Sequence, residues 1–331
     1  MRVALTGASG FLGGYLAEAL VRNGHIVIGL VRDPDTQPAL LSLGAELRRI
    51  DLTDKSTLAG AVEGSDVIVH LAAYYTFHGR KEQYRRVNVE GTLSLIEAAA
   101  ASGVRRFIYC SSTEAMGPVE SPPADESAPL NPAYEYGRSK AEAEALVRSC
   151  PAMGIDYTII RPSGIYGPRN VDDVAYWTIT SFAKNSIATR FIVGDGQRLV
   201  QFTHVSDVVS GFMLAIEKPD ASRNKTFIIA AESAHAYAEV YSILAEICGR
   251  SPPRHHLHPL LAKAMIAPVE ALNRLAGREN FLWHTSTVSS VTSDRSYSIG
   301  KAKKELGFTP KYDLKTGLAE TVEWYRAKGY L

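Results

Sequence analysis

The sequence is poor in cysteine. Its 331 residues include three cysteines, Cys110, Cys150 and Cys248, which are odd in number and widely spaced. This pattern excludes the disulfide framework of small secreted proteins and is typical of a reducing compartment. The chain also begins directly with a strand-like apolar run. We therefore expect no signal peptide and a cytoplasmic location.

Charge of one sign and long apolar runs are also lacking. The chain carries 36 Lys and Arg residues against 35 Asp and Glu residues, a formal net charge of +1. This balance gives no basic excess for a nucleic-acid partner, and we expect none. The most apolar stretch, residues 260–275, is interrupted by Lys263, Pro268, Glu270 and Asn273. We therefore expect no segment that spans a membrane.

The most informative feature that is present lies at the N-terminus. Residues 3–13 read VALTGASGFLG, an apolar run that meets three glycines spaced three apart, before an amphipathic helix pattern. Glycines permit a tight turn and close approach of the backbone, and a helix N-terminus attracts negative charge. The context predicts a pyrophosphate cradle rather than a turn without ligand. The residues that we expect to contact a dinucleotide there are Gly7, Ser9, Gly10, Phe11, Leu12 and Gly13.

A second feature is the pair Tyr136 and Lys140 at the start of a helix pattern rich in Ala and Glu. Residues four apart share one helix face, so the ammonium can lie beneath the phenol. A nearby positive charge lowers a tyrosine pKa, which suits the phenol for proton transfer near neutrality. Taken alone, the pair would be interpreted as a surface contact without chemistry, but after a nucleotide-binding N-terminus the catalytic interpretation is favoured. Tyr134 is a rival, but its spacing from Lys140 does not fit one helix face.

A third feature is a strand pattern, residues 107–112, that ends in the hydroxyls of Ser111 and Ser112. Ligands of α/β folds bind at the C-terminal edge of parallel strands. A hydroxyl there can donate a hydrogen bond to a substrate oxygen on which charge develops. Two serines that only cap the strand end are the alternative.

Strand and helix patterns alternate along much of the chain. We predict strands near 2–6, 26–31, 47–50, 66–70, 106–110, 156–161 and 226–230, and helices near 12–23, 54–62, 82–102, 135–149 and 205–217. This rhythm predicts an α/β fold with a doubly wound parallel (Rossmann) sheet and a smaller interleaved C-terminal substrate domain. The expected dinucleotide-binding domain comprises residues 1–163 and 202–230, and the substrate-binding domain comprises residues 164–201 and 231–331.

Together these motifs resemble the extended short-chain dehydrogenase/reductase family of the NAD-dependent epimerase/dehydratase superfamily. Residues 6–13 are similar to its TGxxGxxG turn and residues 161–168 to its RPxxxYGP segment, while residues 202–207 and 301–308 also match. The resemblance runs essentially end to end. It implies a small-molecule substrate and a homodimer.

The resemblance also implies a catalytic trio of Ser112, Tyr136 and Lys140, with the serine placed by its distance from Gly117. In the implied mechanism Ser112 polarises the substrate oxygen and Tyr136 gives or takes its proton. Lys140 lowers the tyrosine pKa and holds the nicotinamide ribose. Hydride moves between the nicotinamide and a carbinol carbon, because the cofactor carries the redox step.

The end of the second predicted strand bears on the choice of cofactor. NAD-preferring folds place a carboxylate at this strand tip, where this chain has Val31 followed by Arg32. An arginine can bind a 2′-phosphate with two parallel hydrogen bonds. The turn is similar to the Val-Arg-Asp-Pro turn of the NADP-dependent dihydroflavonol reductase branch. We favour NADP, and Asp33 keeps NAD as the alternative.

The remaining cofactor contacts are placed by position and resemblance. We expect Asp51 and Leu52 beside the adenine, Leu71, Ala72 and Ala73 beside the pyrophosphate and ribose, and Pro162 and Ser163 beside the nicotinamide. We expect no metal, because the histidine cluster at 255–258 is typical of a solvated turn.

The substrate class is argued from two departures from the nucleotide-sugar members of the family. Those members commonly carry an asparagine where this chain has Gly164 and an arginine where it has Val200. Losing an arginine that binds phosphate removes a charge-assisted contact. Arg169, Arg190 and Arg198 lie nearby in sequence and are candidates to replace it. We favour an NADP(H)-dependent oxidoreductase of a relatively apolar secondary alcohol or ketone, as in the 3β-hydroxysteroid dehydrogenase and dihydroflavonol reductase branch.

Three observations keep alternatives open. Glu114 resembles the extra acid/base of sugar dehydratases and decarboxylases, which favours a nucleotide-sugar epimerase or dehydratase with tightly held NAD(P). The apolar residues of 260–275 recur at helical spacing and either shape a substrate cavity or simply pack on the small domain. Some relatives bind NADP only as sensors, although they generally lack the Tyr and Lys pair.

Overall fold

Short runs of aliphatic residues form the strands of this protein, and Ala- and Leu-rich amphipathic segments form its helices. The computed structural model describes residues 1–76, 79–171, 173–276 and 283–331. The described strands are β1 (Arg2–Thr6), β2 (Ile26–Val31), β3 (Glu46–Arg49), β4 (Val67–His70), β5 (Arg106–Cys110), β6 (Asp156–Pro162), β7 (Gly164–Tyr166), β8 (Phe191–Val193), β9 (Leu199–Val200), β10 (Phe202–His204), β11 (Lys225–Ile229), β12 (His235–Ala236) and β13 (His255–Leu257). The described α-helices are α1 (Phe11–Arg22), α2 (Pro38–Ser42), α3 (Ala59–Val62), α4 (Lys81–Tyr84), α5 (Gly91–Ala101), α6 (Glu135–Arg148), α7 (Val174–Ala183), α8 (Val205–Glu217), α9 (Pro219–Ser222), α10 (Tyr237–Ile247), α11 (Pro259–Leu275), α12 (Thr285–Val291) and α13 (Leu314–Ala327).

Seven of these strands form one parallel sheet in the order β11-β6-β5-β4-β1-β2-β3. The chain reverses its direction of travel across the sheet between β1 and β4, where Thr6 pairs with His70. Ligands of open α/β sheets bind outside the carboxyl ends of the strands at such a switch point. The predicted doubly wound parallel fold is therefore confirmed.

Helices cover both faces of the sheet because successive strand residues point to opposite sides. Val3 and Leu5 of β1 pack with helices α1 and α8, whereas Ala4 packs with helices α5 and α6. A third apolar cluster joins α7, α10 and α13 through Ile179 and Leu244, among others. The described strands outside the main sheet form two-stranded sheets, in which β7 pairs with β10, β8 with β13 and β9 with β12.

Two predicted helices differ from the structure. The helix expected near 54–62 is a 3₁₀ turn, Lys55–Thr57, followed by the short α3. The Asp54 side chain caps the tight turn through Ser56 N, and Gly60 weakens continuation as a helix. The helix expected near 82–102 is interrupted by a π-helical segment, Arg85–Glu90, between α4 and α5. None of the described helices is both long and apolar enough to cross a membrane.

Candidate active site

The glycine turn between β1 and α1 is shaped by close backbone contacts. Gly7 has a φ of +68°, and a Cβ there would lie 2.9 Å from Ala72 N. A Cβ on Gly13 would lie 1.9 Å from Gly7 O, so both positions require glycine. Gly10 is the N-cap of α1, and no side chain caps the amides of the first turn. The N–H groups in the first turn of α1 therefore remain available to bind an anion. The residues of the turn fit a dinucleotide pyrophosphate.

A chain of buried hydrogen bonds next to this turn joins the end of β1 to the end of β4. Thr6 Oγ1 accepts hydrogen bonds from Leu71 N and Ala72 N, both at 3.1 Å. The hydroxyl therefore donates to His70 Nδ1 at 2.7 Å, which leaves His70 Nε2 as the donor to Thr92 Oγ1 at 3.0 Å. Burial, assisted by the charge of Lys140, lowers the pKa of His70 to about 3. The imidazole is neutral and fixed in one tautomer.

Asn88 links this region to the helix that carries the tyrosine. Its Nδ2 donates to Ser139 Oγ at 2.9 Å and to Tyr74 O at 3.0 Å. Tyr74 N in turn donates to Asn88 Oδ1 at 2.6 Å. Ser139 Oγ donates to Tyr136 O at 2.7 Å. The first turn of α6 is thus tied to the segment after β4.

Ser112, Tyr136 and Lys140 converge at the carboxyl ends of the central strands. Ser112 follows β5 and its Oγ accepts a hydrogen bond from Glu114 N at 3.1 Å. The ammonium of Lys140, one turn after Tyr136 on α6, lies 5.8 Å from the centre of the Tyr136 ring. The same Nζ donates to Cys110 O at 2.6 Å. The structure therefore brings together the three residues that the sequence selects.

The tyrosine pKa differs from the sequence-based expectation. Burial raises the pKa of Tyr136 well above its ordinary value, and Cys110 and Glu114 raise it further. A hydrogen bond from Ser112 lowers it in part. Lys140, whose ammonium donates to the Cys110 carbonyl, does not offset the burial. Tyr136 therefore holds its proton at neutral pH.

The serine next to the trio has a different role. Ser111 Oγ donates to Glu144 Oε1 at 2.6 Å, and Arg161 binds both oxygens of the same carboxylate at 2.8 and 2.7 Å. All three side chains are buried. Ser111 and Ser112 both line the cavity, but the Ser111 hydroxyl is committed to the Glu144 carboxylate in an internal ion-pair network.

A cavity of about 560 Å³ opens beside the trio. Ser112, Tyr136, Pro162 and Ser163 contribute to its wall. Nine aromatic side chains also line it: Phe11, Tyr75, Tyr84, Tyr134, Tyr136, Phe202, Tyr237, Tyr241 and Tyr297. Polar residues such as Glu114, Gln201 and Arg295 also lie in the wall, but most of the cavity surface is apolar, which is typical of a site for a largely apolar ligand.

Arg295 and Glu114 form an ion pair in the wall of this cavity. Arg295 Nη1 lies 3.1 Å from Glu114 Oε1, and the Arg295 side chain is 6% exposed. Burial opposes the charge on Arg295, but Glu114 and the neighbouring Tyr297, Tyr237 and Tyr134 together outweigh it, and the pKa of the guanidinium stays above its ordinary value. Arg295 Nε donates to Ser290 Oγ at 3.2 Å. Within the described part of the chain, Arg295 Nη2 and Glu114 Oε2 are buried without a well-formed hydrogen bond.

Sequence reasoning missed Arg295. The arginines that it offered instead lie outside the cavity lining: Arg169 pairs with Glu18 at 2.5 Å and Arg198 with Asp294 at 2.9 Å. Arg190 does not line the cavity either. Arg295 N donates to Leu199 O at 2.7 Å, which places this arginine beside Val200. The sequence offered one clue to this residue, because Arg295 is the single Lys or Arg between residues 285 and 300.

The expected adenine end of the groove carries two arginines. Asp51 is exposed, and hydrogen bonds from Thr53 lower its pKa, with further lowering by the charges of Arg32 and Arg86. Both arginines therefore lie near the end of β3. Leu52, which we expected beside the adenine, has its side chain packed in the core under α5. Its contribution to a ligand site is limited to its backbone.

The chain is similar to known proteins along most of its length. The NAD dependent epimerase/dehydratase family matches residues 3–230. Sterol demethylase protein B of Methylococcus capsulatus is 28% identical over 337 residues, covering 100% of both chains. The 3 beta-hydroxysteroid dehydrogenase/Delta 5-->4-isomerase of Mycobacterium tuberculosis is 30% identical over 342 residues, covering 98% of this chain and 90% of its own.

A solved structure shares the whole fold. The UDP-glucose 4-epimerase of Thermotoga maritima, solved with UDP-glucose, superposes with a TM-score of 0.80 at 24% identity and covers 99% of each chain. At this identity the likeness concerns the fold alone. The family match and the 30% identical relative carry the assignment. This chain belongs to the NAD dependent epimerase/dehydratase family and is an enzyme of the extended short-chain dehydrogenase/reductase type.

Proposed function

We propose that this protein is an NADP(H)-dependent oxidoreductase that interconverts a secondary alcohol and a ketone on a relatively apolar substrate. The observation that carries the proposal is the position of Ser112 and Tyr136 in the wall of an aromatic cavity. The two relatives named for sterol and 3β-hydroxysteroid chemistry support the same substrate class.

The proposed chemistry assigns one role to each member of the trio. Ser112 Oγ accepts a hydrogen bond from Glu114 N, and its hydroxyl, which contacts Tyr136 in the structure, donates its proton to the substrate oxygen when substrate is bound. Tyr136, protonated at neutral pH, gives its proton to that oxygen during reduction and takes it back during oxidation. Lys140 places a buried positive charge between Cys110 O and the tyrosine ring. A bound nicotinamide dinucleotide supplies or accepts the hydride.

The charge of the cavity supports an uncharged substrate. Among the described residues that line it, the arginines are Arg138 and Arg295. Arg138 is paired with Glu135 at 2.6 Å and Arg295 with Glu114 at 3.1 Å. A sugar diphosphate would bring about two negative charges and would need cations that are not already neutralised.

NADP as the preferred cofactor is supported by the expected adenine end. Arg32 and Arg86 both act on the pKa of Asp51, so two cations lie near one point. Among the described residues no carboxylate lies within ion-pair distance (4.0 Å) of Arg32 or Arg86, which keeps both guanidinium groups for a 2′-phosphate.

The second candidate function is a nucleotide-sugar epimerase or dehydratase, which Glu114 favours because its carboxylate lies in the cavity wall two residues from Ser112. Calorimetric titration of UDP, dTDP and GDP into NADP-saturated protein separates the two. We expect no binding of any nucleotide. Micromolar binding of one of them would favour the sugar reaction and give Glu114 an acid/base role.

A further inference from the structure

Helix α11 presents an apolar face to solvent. The side chains of Leu260, Leu261, Met265, Leu272 and Leu275 are between 53% and 85% exposed. Their spacing of three, four and seven places most of them along one side of the helix. Of the fourteen large apolar side chains that are exposed in the described part of the chain, these five lie on a single helix. An apolar face of this length that is exposed to solvent indicates a docking site.

The other side of α11 packs against the cavity wall. Glu270 Oε2 accepts a hydrogen bond from Thr285 N at 2.8 Å, and Glu270 Oε1 lies 3.0 Å from His284 Nε2. These contacts join α11 to the start of α12, whose residues Ser286 and Ser290 line the substrate cavity. The helix is thus the outer layer over one wall of the site.

The charges around this face are mostly basic, although the whole chain is nearly neutral. Residues 250–276 contain Arg250, Arg254, Lys263 and Arg274, against the single carboxylate of Glu270. That carboxylate is turned inward to Thr285 and His284. A helix with an apolar face and basic flanks suits the boundary between anionic headgroups and acyl chains.

We propose that α11 docks this protein on the surface of an anionic lipid bilayer. Leu261, Met265 and Leu272 enter the acyl boundary, while Lys263 and Arg274 meet the headgroups. The docked helix places α12, and therefore a wall of the cavity, at the surface where apolar alcohols partition. A second copy of the chain is a poorer occupant, because symmetric pairing of α11 brings the two basic flanks together.

Vesicle co-sedimentation of the full chain tests this surface without relying on the proposed reaction. The vesicles contain phosphatidylcholine alone or with roughly 30% phosphatidylserine. We expect binding to the anionic vesicles and at least about tenfold weaker binding to the neutral ones. The variant Leu261→Ser/Met265→Ser/Leu272→Ser loses binding by about tenfold or more. The matched control Leu41→Ser/Leu130→Ser, which alters exposed leucines elsewhere, stays within about twofold of the unmodified chain.

A charge variant keeps the test decisive if the triple variant folds poorly. Lys263→Gln/Arg274→Gln leaves the apolar face intact and weakens binding to anionic vesicles by about tenfold, with no change on neutral ones. Absence of binding to either vesicle overturns the proposal, as does equal binding by all variants. A concentration-dependent dimer that Leu272→Ser abolishes, without vesicle binding, assigns the face to a second copy instead.

Discussion

Arg295 Nη1 lies 3.1 Å from Glu114 Oε1, although the two residues are far apart in sequence. The pair closes one wall of the cavity that also contains Ser112 and Tyr136. It neutralises a cation inside an aromatic site, which supports a substrate without a diphosphate. The pair also predicts how substitutions of its two members change the free energy of unfolding.

Removing one partner of this pair should cost more than removing both. A fully buried pair that loses one partner costs about 3–5 kcal/mol, and partial exposure of Glu114 reduces this to about 2 kcal/mol for Arg295→Met. The double variant Arg295→Met/Glu114→Gln should recover at least about half of that loss, because no carboxylate is left unpaired. Urea unfolding measures both values. Additive effects of the two single changes would mean that the groups do not interact.

Arg32 and Arg86 should discriminate between the two dinucleotides. Changing either arginine to serine removes a charge-assisted contact with the 2′-phosphate, and we expect about tenfold weaker binding of NADPH. Binding of NADH should stay within about twofold, since it lacks that phosphate. Nucleotide fluorescence titration gives both constants, with Arg22→Ser as an exposed control on α1. Equal weakening for NADH and NADPH would remove the argument for NADP.

His70 should make the fold sensitive to mild acid. Its pKa is lowered to about 3 in the fold from 6.5, so below 6.5 the unfolded chain binds a proton that the folded chain does not. Stability therefore falls as the pH falls. Between about pH 7 and about pH 5.5 this histidine contributes a loss of about 1 kcal/mol. Urea unfolding at both pH values should show a smaller difference for His70→Gln, whereas the exposed His255→Gln should match the unmodified chain.

The two neighbouring serines should separate catalysis from stability. Ser112→Ala removes the donor to the substrate oxygen, so we expect kcat/KM to fall by about a hundredfold with little change in stability. Ser111→Ala leaves the Glu144 network short of a donor and should lower the free energy of unfolding by about 1–3 kcal/mol. Steady-state kinetics and urea unfolding of both variants test this split. A larger kinetic effect at Ser111 would reverse the assignment.

The features that sequence predicts correctly are local or follow from the parallel sheet. Runs such as Val67–His70 are buried on both faces and read as strands without tertiary information. Ser112 and Tyr136 meet because strand ends and helix starts share one edge of such a sheet. The glycine turn needs a positive φ at position 7, and a glycine at that position predicts this conformation.

The features that sequence does not predict depend on long-range packing. Arg295 reaches Glu114 only because its backbone pairs with Leu199. The raised pKa of Tyr136 follows from burial, which the spacing to Lys140 does not reveal. The π-helical segment Arg85–Glu90 packs against α6, where Asn88 donates to Ser139, and this contact between distant parts of the chain has no local sequence signal.

The decisive measurement is net formation of NADPH from NADP and a panel of apolar secondary alcohols, including 3β-hydroxysteroids and flavonoid alcohols. We expect stoichiometric NADPH with at least one alcohol. Tyr136→Phe should lower the rate by about a thousandfold or more while NADP binding stays within about twofold. Tyr134→Phe, whose native hydroxyl donates to Ser286 O, should keep hydride transfer within about tenfold. Undiminished turnover by Tyr136→Phe, or epimerisation of a nucleotide sugar without net NADPH, would show that the proposed reaction is wrong.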